Sequence, residues 1–428
     1  MALPVNVGAT SGQLIGVGTG SGVYGGPFID GNGNVYAVIC DDTSTTIEVH
    51  KATDPTSSFA EQNAAGAPVL ASLRAFTSYA AEGGNTIHII AASEVNTTSS
   101  LRYYTFHMSS HGTTPDTWVL NESVDTFTAV NTANEQFHLT TPGVRADGVV
   151  VVAYGCDRTG TMSGDTQILQ WAWRSSGGAW TSGGSVETTP SMRDIGGGVC
   201  DENGLYGFIY HPTASTTLYY RSISAASTPV LNAVQTVTGA VADGIAQKAA
   251  YYKTGSTQRF TFGYFDSGAA DESMATVRVD NDGAAFDVTT GATDEDTAGA
   301  QGDPTIPPPQ ASVVSVGTTT YLPYVRGTTA SAGASDTYYG TRTDGGSWGT
   351  GTLIRAGTFT GGSSFMCANA YVRGGNNRIA LLYDDAGQVK YDEVDLGAAV
   401  TFDPATLAYR VSAEYPQAYQ RPTAVIAY

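Results

Sequence analysis

Seven carboxylates stand at the ends of apolar runs: Asp41 and Asp42, Glu94, Asp157, Asp266, and Asp384 with Asp385. Carboxylates accept hydrogen bonds from sugar hydroxyls and bind hard cations such as calcium. Gathered on one surface, these seven would make an acidic ring that serves as a sugar-hydroxyl site or as a site for a cation such as calcium; no other cofactor is expected. Scattered, each would simply cap its own loop, as Asp does at turns. His211 and Arg326 end two further runs in the same way.

Other reactive groups form no catalytic set. His107 and His111 are four apart but lack the Glu of a helical zinc motif and sit in strand context. His88 lies inside an apolar run and reads as a core histidine. Arg145, Arg326 and Arg373 fall near strand ends without forming an assignable triad, and Tyr154, Tyr210 and Tyr383 suit packing at a strand end. Glycosidases need two carboxylates at a defined separation, and nothing in the sequence selects a pair. No phosphate-binding loop, nucleophile elbow or dinucleotide fingerprint is present. Cys40, Cys156, Cys200 and Cys367 show no CxxC spacing and read as buried free thiols.

The elements that must position these groups repeat. Apolar runs begin at Val35, Ile87, Val149, Leu205, Phe260, Tyr321 and Ile379, at intervals of 52, 62, 56, 55, 61 and 58 residues. Such a period is the signature of a repeat architecture. A Gly/Asn/Asp turn precedes each run, and an alternating strand such as Ile47-Glu48-Val49-His50 follows it. A small-residue segment precedes each turn, and a less defined fourth segment ends each unit. The reading is an all-β, seven-bladed β-propeller of four-stranded antiparallel blades, with tandem β-sandwiches as the alternative. The ring spans 27–396, in units near 27–70, 71–135, 136–190, 191–240, 241–303, 304–360 and 361–396; segments 1–26 and 397–428 lead into and close it. The run starts should be equivalent from blade to blade. Gln13–Val17 or Thr423–Tyr428 should pair in the sheet that holds Val389–Val394, because a closed ring leaves no free edge. Pro323, inside the sixth run, should force a bulge or irregular pairing. In such a ring the B–C connections share one face, so the seven carboxylates would converge there.

Aromatic residues follow the C–D turns in Asp54–Phe59, Asp116-Thr117-Trp118, Gly177-Gly178-Ala179-Trp180 and Gly345-Gly346-Ser347-Trp348. These turns resemble degenerate Asp boxes of sialidase-type propellers, though Ser, Gly and Trp are all missing from the first and the Asp is displaced to Asp344 in the last. The resemblance covers four of seven blades. It implies a structural box opposite the binding face, and it implies no activity, because the arginine triad and tyrosine nucleophile of that family have no assignable counterpart.

The net charge is −19, with four Lys against sixteen Arg. That excludes nucleic acid as the natural partner, and no window is apolar enough for membrane insertion. Met1–Val7 has no basic, apolar signal pattern. In general character the Gly/Ser/Thr-rich, all-β chain is similar to tailed-phage virion proteins. The leading expectation is a non-enzymatic virion structural, decoration or attachment protein. It would assemble in a host cytoplasm and meet other virion proteins or a host-surface glycan. The alternative is a carbohydrate-active enzyme or lectin with a sialidase-like propeller.

Overall fold

In the computed structural model, short turns convert the sequence period into sheets. The A–B turns of blades 1 and 4 share a side-chain device, and that of blade 3 shares their left-handed Gly. The Asp30 carboxylate accepts the backbone N–H groups of Asn32 and Asn34 at 2.9 and 2.8 Å. Asp201 accepts those of Asn203 and Leu205 at 2.8 Å each. Gly33, Gly148 and Gly204 occupy the same left-handed place, at φ of 82°, 82° and 86°. These side-chain bonds satisfy turn donors that no strand can reach. The structure describes residues 3–9, 24–40, 46–70, 73–95, 98–128, 137–157, 167–186, 192–212, 217–246, 248–266, 273–280, 283, 285–289, 312–327, 335–359, 366–385 and 388–398.

The strands run in chain order through seven antiparallel blades. β1 (Val5–Ala9) belongs to the last blade. Blade 1 holds β2 (Tyr24–Ile29), β3 (Val35–Cys40), β4 (Ile47–Ala52) and β5 (Ala60–Gln62). Blade 2 holds β6 (Leu73–Tyr79), β7 (Thr86–Val95), β8 (Thr98–His107) and β9 (Thr117–Thr128). In blade 3 the innermost strand is broken into β10 (Phe137–Leu139) and β11 (Gly143–Val144); β12 (Val150–Asp157), β13 (Gln167–Arg174) and β14 (Trp180–Ser185) follow. Blade 4 holds β15 (Met192–Cys200), β16 (Tyr206–Pro212), β17 (Thr217–Ile223) and β18 (Gln235–Ile245). The end of β18 crosses into blade 5, where it and β19 (Ala250–Thr254) flank β20 (Thr257–Asp266), β21 (Ser273–Asp280) and β22 (Ala285–Thr289). Blade 6 holds β23 (Val314–Val316), β24 (Thr319–Gly327), β25 (Ser335–Thr343) and β26 (Thr352–Phe359). Blade 7 holds β27 (Met366–Arg373), β28 (Asn376–Asp385) and β29 (Gln388–Ala398), with β1 as its outer strand.

The protein is a seven-bladed β-propeller. Its core is divided into wedges between neighbouring blades, which is why the second strands are apolar throughout. Val35–Cys40 is buried at all six positions. Val150, Val152 and Tyr154 face one wedge, and Val151 and Ala153 face the next. Each fully buried aliphatic side chain contributes roughly 1.5–3 kcal/mol, so stability is spread around the ring.

Three details refine the expectation. The run starts recur, but not in one register: Val149 and Leu205 close their A–B turns, one residue before β12 and β16. A one-residue offset moves a side chain to the opposite wedge. The strand that closes blade 7 is Val5–Ala9, paired Val5↔Tyr391 through Ala9↔Gln388, with Val5 and Val7 buried. Gln13–Val17 and Thr423–Tyr428 lie outside the described residues. Of the two outcomes expected at Pro323, no bulge forms toward β25, which stays in register through Pro323↔Tyr339, and the irregularity lies on the inner side. β23 ends its pairing at Tyr321, so the inner ladder is already finished where the proline stands.

Candidate functional site

The second strand of each blade runs from an A–B turn to a B–C connection, so all its last residues lie on one face of the ring. Glu94 is the penultimate residue of β7, opposite Ser99. Asp157 ends β12 opposite Gln167, and Asp266 ends β20 opposite Ser273. Asp384 and Asp385 end β28 opposite Val389 and Gln388. Asp41 and Asp42 follow the last residue of β3 and lie outside the described residues. By backbone position, the described carboxylates of blades 2, 3, 5 and 7 share the B–C end. His211 and Arg326 hold this end in blades 4 and 6, opposite Asp194 and Asp336 respectively.

The opposite face, built from A–B and C–D turns, is charged in a different way. Asp344, in the C–D turn of blade 6, accepts from Arg278 at 2.8 Å and from Arg259, both of blade 5, and from Tyr252 Oη at 3.2 Å. Asp116, in the C–D turn of blade 2, accepts from Lys51 Nζ and Tyr36 Oη of blade 1, each at 2.8 Å. Arg174 of blade 3 grips Glu122 of blade 2 with two nitrogens at 2.6 and 2.8 Å. Arg342 of blade 6 reaches Asp287 of blade 5 at 2.7 Å. The buried Glu393 of blade 7 takes Arg373, Arg378, Tyr371 and Tyr391 as donors. Burial, and hydrogen bonding to the Glu393 carboxylate, push Tyr371 well above the ordinary phenol range, so it remains a donor.

One of these clusters has the composition of a nucleophile site. Ser109 Oγ lies 3.0 Å from Asp116 Oδ2 and receives Lys51 Nζ, while Tyr36 Oη donates to it at 2.8 Å. It is a blade lock. An ammonium held by a carboxylate has no lone pair with which to take a serine proton. The same C–D carboxylate recurs at Asp344, where arginines, which cannot act as bases, replace the lysine. The aromatic that follows each turn confirms this role: Phe59, Trp118, Trp180 and Trp348 each pack against a wedge core.

Arg145 and Arg373 lie on this turn face, paired with Asp147 and Glu393, whereas Arg326 ends β24 on the other face; the three do not converge. Tyr154, Tyr210 and Tyr383 are buried, and Tyr154 Oη donates to Asp125 at 2.5 Å. His88 Nδ1 meets Tyr103 Oη at 2.7 Å, and burial pushes it down to about 3. His107 and His111 stack ring on ring at 3.6 Å; burial and the neighbouring ring push His107 down to about 4. Among the described residues no three His, Cys, Asp or Glu side chains gather to hold a metal. Cys40, Cys200 and Cys367 are free thiols.

The axis is closely packed. Gly197 donates to Ala246 O at 2.8 Å and accepts from Thr141 N at 3.1 Å, joining blades 3, 4 and 5. A Cβ on Gly196 would stand 2.5 Å from Ala246 O, and Gly197 has φ of 83°, so this Gly-Gly pair is what lets three inner strands meet. Sequence reading missed Lys248, which also lies on the axis. Its signal was its rarity as one of four lysines in the chain.

No protein-family model and no curated protein sequence matches the chain. Among solved structures, it is similar to an α-L-arabinanase from Penicillium chrysogenum at 11% identity, over 93% of this chain and 99% of that one, with a TM-score of 0.49. The Aleuria aurantia lectin, in complex with α-methyl-L-fucoside, shares 10% identity over 81% of this chain and 98% of its own, with a TM-score of 0.43. A Trypanosoma rangeli sialidase shares 10% over 80% of this chain and 56% of its own, also at 0.43. The fold rests on the seven sheets themselves, and likenesses at this level decide neither ligand nor activity. Among the described residues no helix is long and apolar enough to cross a membrane.

Proposed function

We propose that this propeller binds glycans without hydrolysing them, through the face on which the B–C connections emerge. The observation that supports this is the repeated carboxylate at the end of the second strand, in Glu94, Asp157, Asp266 and Asp384–Asp385. Asp41 and Asp42 continue the series in sequence. Carboxylates arranged around a ring offer acceptors to several sugar hydroxyls at once. The connections behind them differ in length, from two residues between β7 and β8 to nine between β12 and β13, so the rim can carry specificity. A particle-bound, phage setting has no support beyond composition, and attachment to a glycan is the part of that expectation retained here.

The test pairs a glycan array with a panel of chromogenic glycosides, run with and without EDTA. The expected result is saturable binding to at least one glycan and no turnover. The double variant Asp157→Lys/Asp266→Lys should lose that binding while keeping its circular dichroism. Undiminished binding by the folded double variant, or turnover of any glycoside, would overturn the reading.

A further inference from the structure

Lys248 plays no part in the blade locks or the acidic rim. It lies between β18 and β19, in the innermost strand of blade 5, and its carbonyl accepts from Val313 N of blade 6 at 3.0 Å. Its side chain passes blade 6 and reaches β27 of blade 7. There Nζ donates to Ala368 O at 2.9 Å and to Asn369 Oδ1. Asn369 Nδ2 donates onward to Pro27 O of blade 1 at 2.7 Å. The amine thus sits among innermost strands, on the axis, and Lys248 as a whole is half-buried.

Its partners are all neutral. Lys51 and Lys253 are ion-paired with Asp116 and Glu202, but no carboxylate among the described residues pairs with Lys248. Two acceptors match the two N–H bonds of a neutral amine. An ammonium would carry a third N–H with no acceptor among the described residues. The neutral form also keeps its lone pair free. Burial acts in the same direction, pushing the amine down to about 7. Burial pushes the neighbouring Cys367 thiol up to about 12, so it supplies no thiolate at neutral pH to hold the ammonium.

We propose that Lys248 is a nucleophilic amine on the ring axis that forms an imine with small aldehydes. The Nζ lone pair adds to the carbonyl carbon, the carbonyl oxygen is protonated to a carbinolamine, and loss of water leaves the C=N bond. No oxidant or reductant enters this step. Asn369 and the Ala368 carbonyl hold the amine in place before attack. The proposal stands on the contacts between blades 5 and 7 alone, so it is independent of glycan binding at the rim.

The experiment uses the whole wild-type chain, glycolaldehyde, and cyanoborohydride, whose hydride reduces the imine to a stable secondary amine. Peptide mass mapping at pH 7 should show Lys248 modified more than Lys51, Lys253 or Lys390 by roughly tenfold or better, because burial holds the Lys248 amine well below the ordinary lysine value. The yield at Lys248 should rise to half its maximum near pH 7, and urea-unfolded protein should lose the preference. Lys248→Met should remove the dominant adduct; if that variant fails to fold, the wild-type map still decides. Equal modification of the four lysines in folded protein, or an unmodified Lys248 beside modified others, would overturn the proposal.

Discussion

The two faces of this ring use carboxylates in opposite ways. On the A–B and C–D face they are occupied: Asp116, Asp344, Glu122, Asp287 and Glu393 each hold a cation, and four of the five hold one from a neighbouring blade. On the B–C face the acidic residues end their strands with few cations placed beside them in sequence, Arg158 and Arg326 among them. The turn face therefore spends its charge on holding blades together; for the B–C face, the proposed role is to offer acceptors to a glycan. On the turn face the carboxylate is structural because a guanidinium or ammonium is built next to it.

The strongest test of that contrast is Asp344→Ala. It strips the shared partner from Arg259 and Arg278, which are 15% and 13% exposed. Both arginines keep Asp280, at 3.3 and 3.1 Å, so the loss is that of charge-assisted hydrogen bonds and not of a stranded charge, and urea unfolding should show about 2 kcal/mol. A loss of only a few tenths would mean that the turn face behaves as ordinary solvated surface.

The axis between the faces should respond to pH. Lys248 is depressed from 10.5 to about 7. Between those values the unfolded chain binds a proton that the folded chain does not, so stability should rise with pH, by up to about 1.4 kcal/mol per unit. The histidines contribute in the same direction only at lower pH, since His88 and His107 are depressed from 6.5 to about 3 and about 4. Cys367, raised from 9.0 to about 12, opposes the rise above pH 9. The clean window is therefore pH 7 to 9. Unfolding free energies there should climb for the wild type and stay flat for Lys248→Met; parallel slopes would show that the lysine is not the source.

A smaller effect is expected from Lys51→Met. Asp116 keeps Tyr36 and Ser109 as donors, and the methionine retains the apolar stem. The loss should be about 1 kcal/mol, as for a hydrogen bond to a charged group that has other partners. The smallest effect belongs to the B–C face. Asp157→Lys with Asp266→Lys should change unfolding free energy by no more than about 0.5 kcal/mol, as surface changes away from built interactions do. A large loss there would erase the difference between the faces.

Much of this was legible in the chain, for specific reasons. Val35–Cys40 is apolar at every position because both of its faces meet a wedge, and that run marked the second strand of the first blade. Asp30-Gly31-Asn32-Gly33-Asn34 marked a hairpin turn because the Asp side chain and a left-handed Gly build one locally. The closing strand was not legible, since Val5–Ala9 is five residues long and its partner lies almost four hundred residues away. The Lys248 contacts were hidden for the same reason: Asn369 is 121 residues distant.

By itself, then, the sequence determined what depends on neighbours in the chain: the seven-fold period, the strand and turn types, and the acidic residue at the end of several second strands. The tertiary structure alone decided which charges meet. Closing the ring brings Arg259 and Arg278 to Asp344, and Lys51 to Asp116, separating the carboxylates that hold blades together from those left at the rim. The physical reason is range: turns and strands are set by backbone geometry over a few residues, whereas an ion pair needs only proximity in space, which closure of the ring supplies.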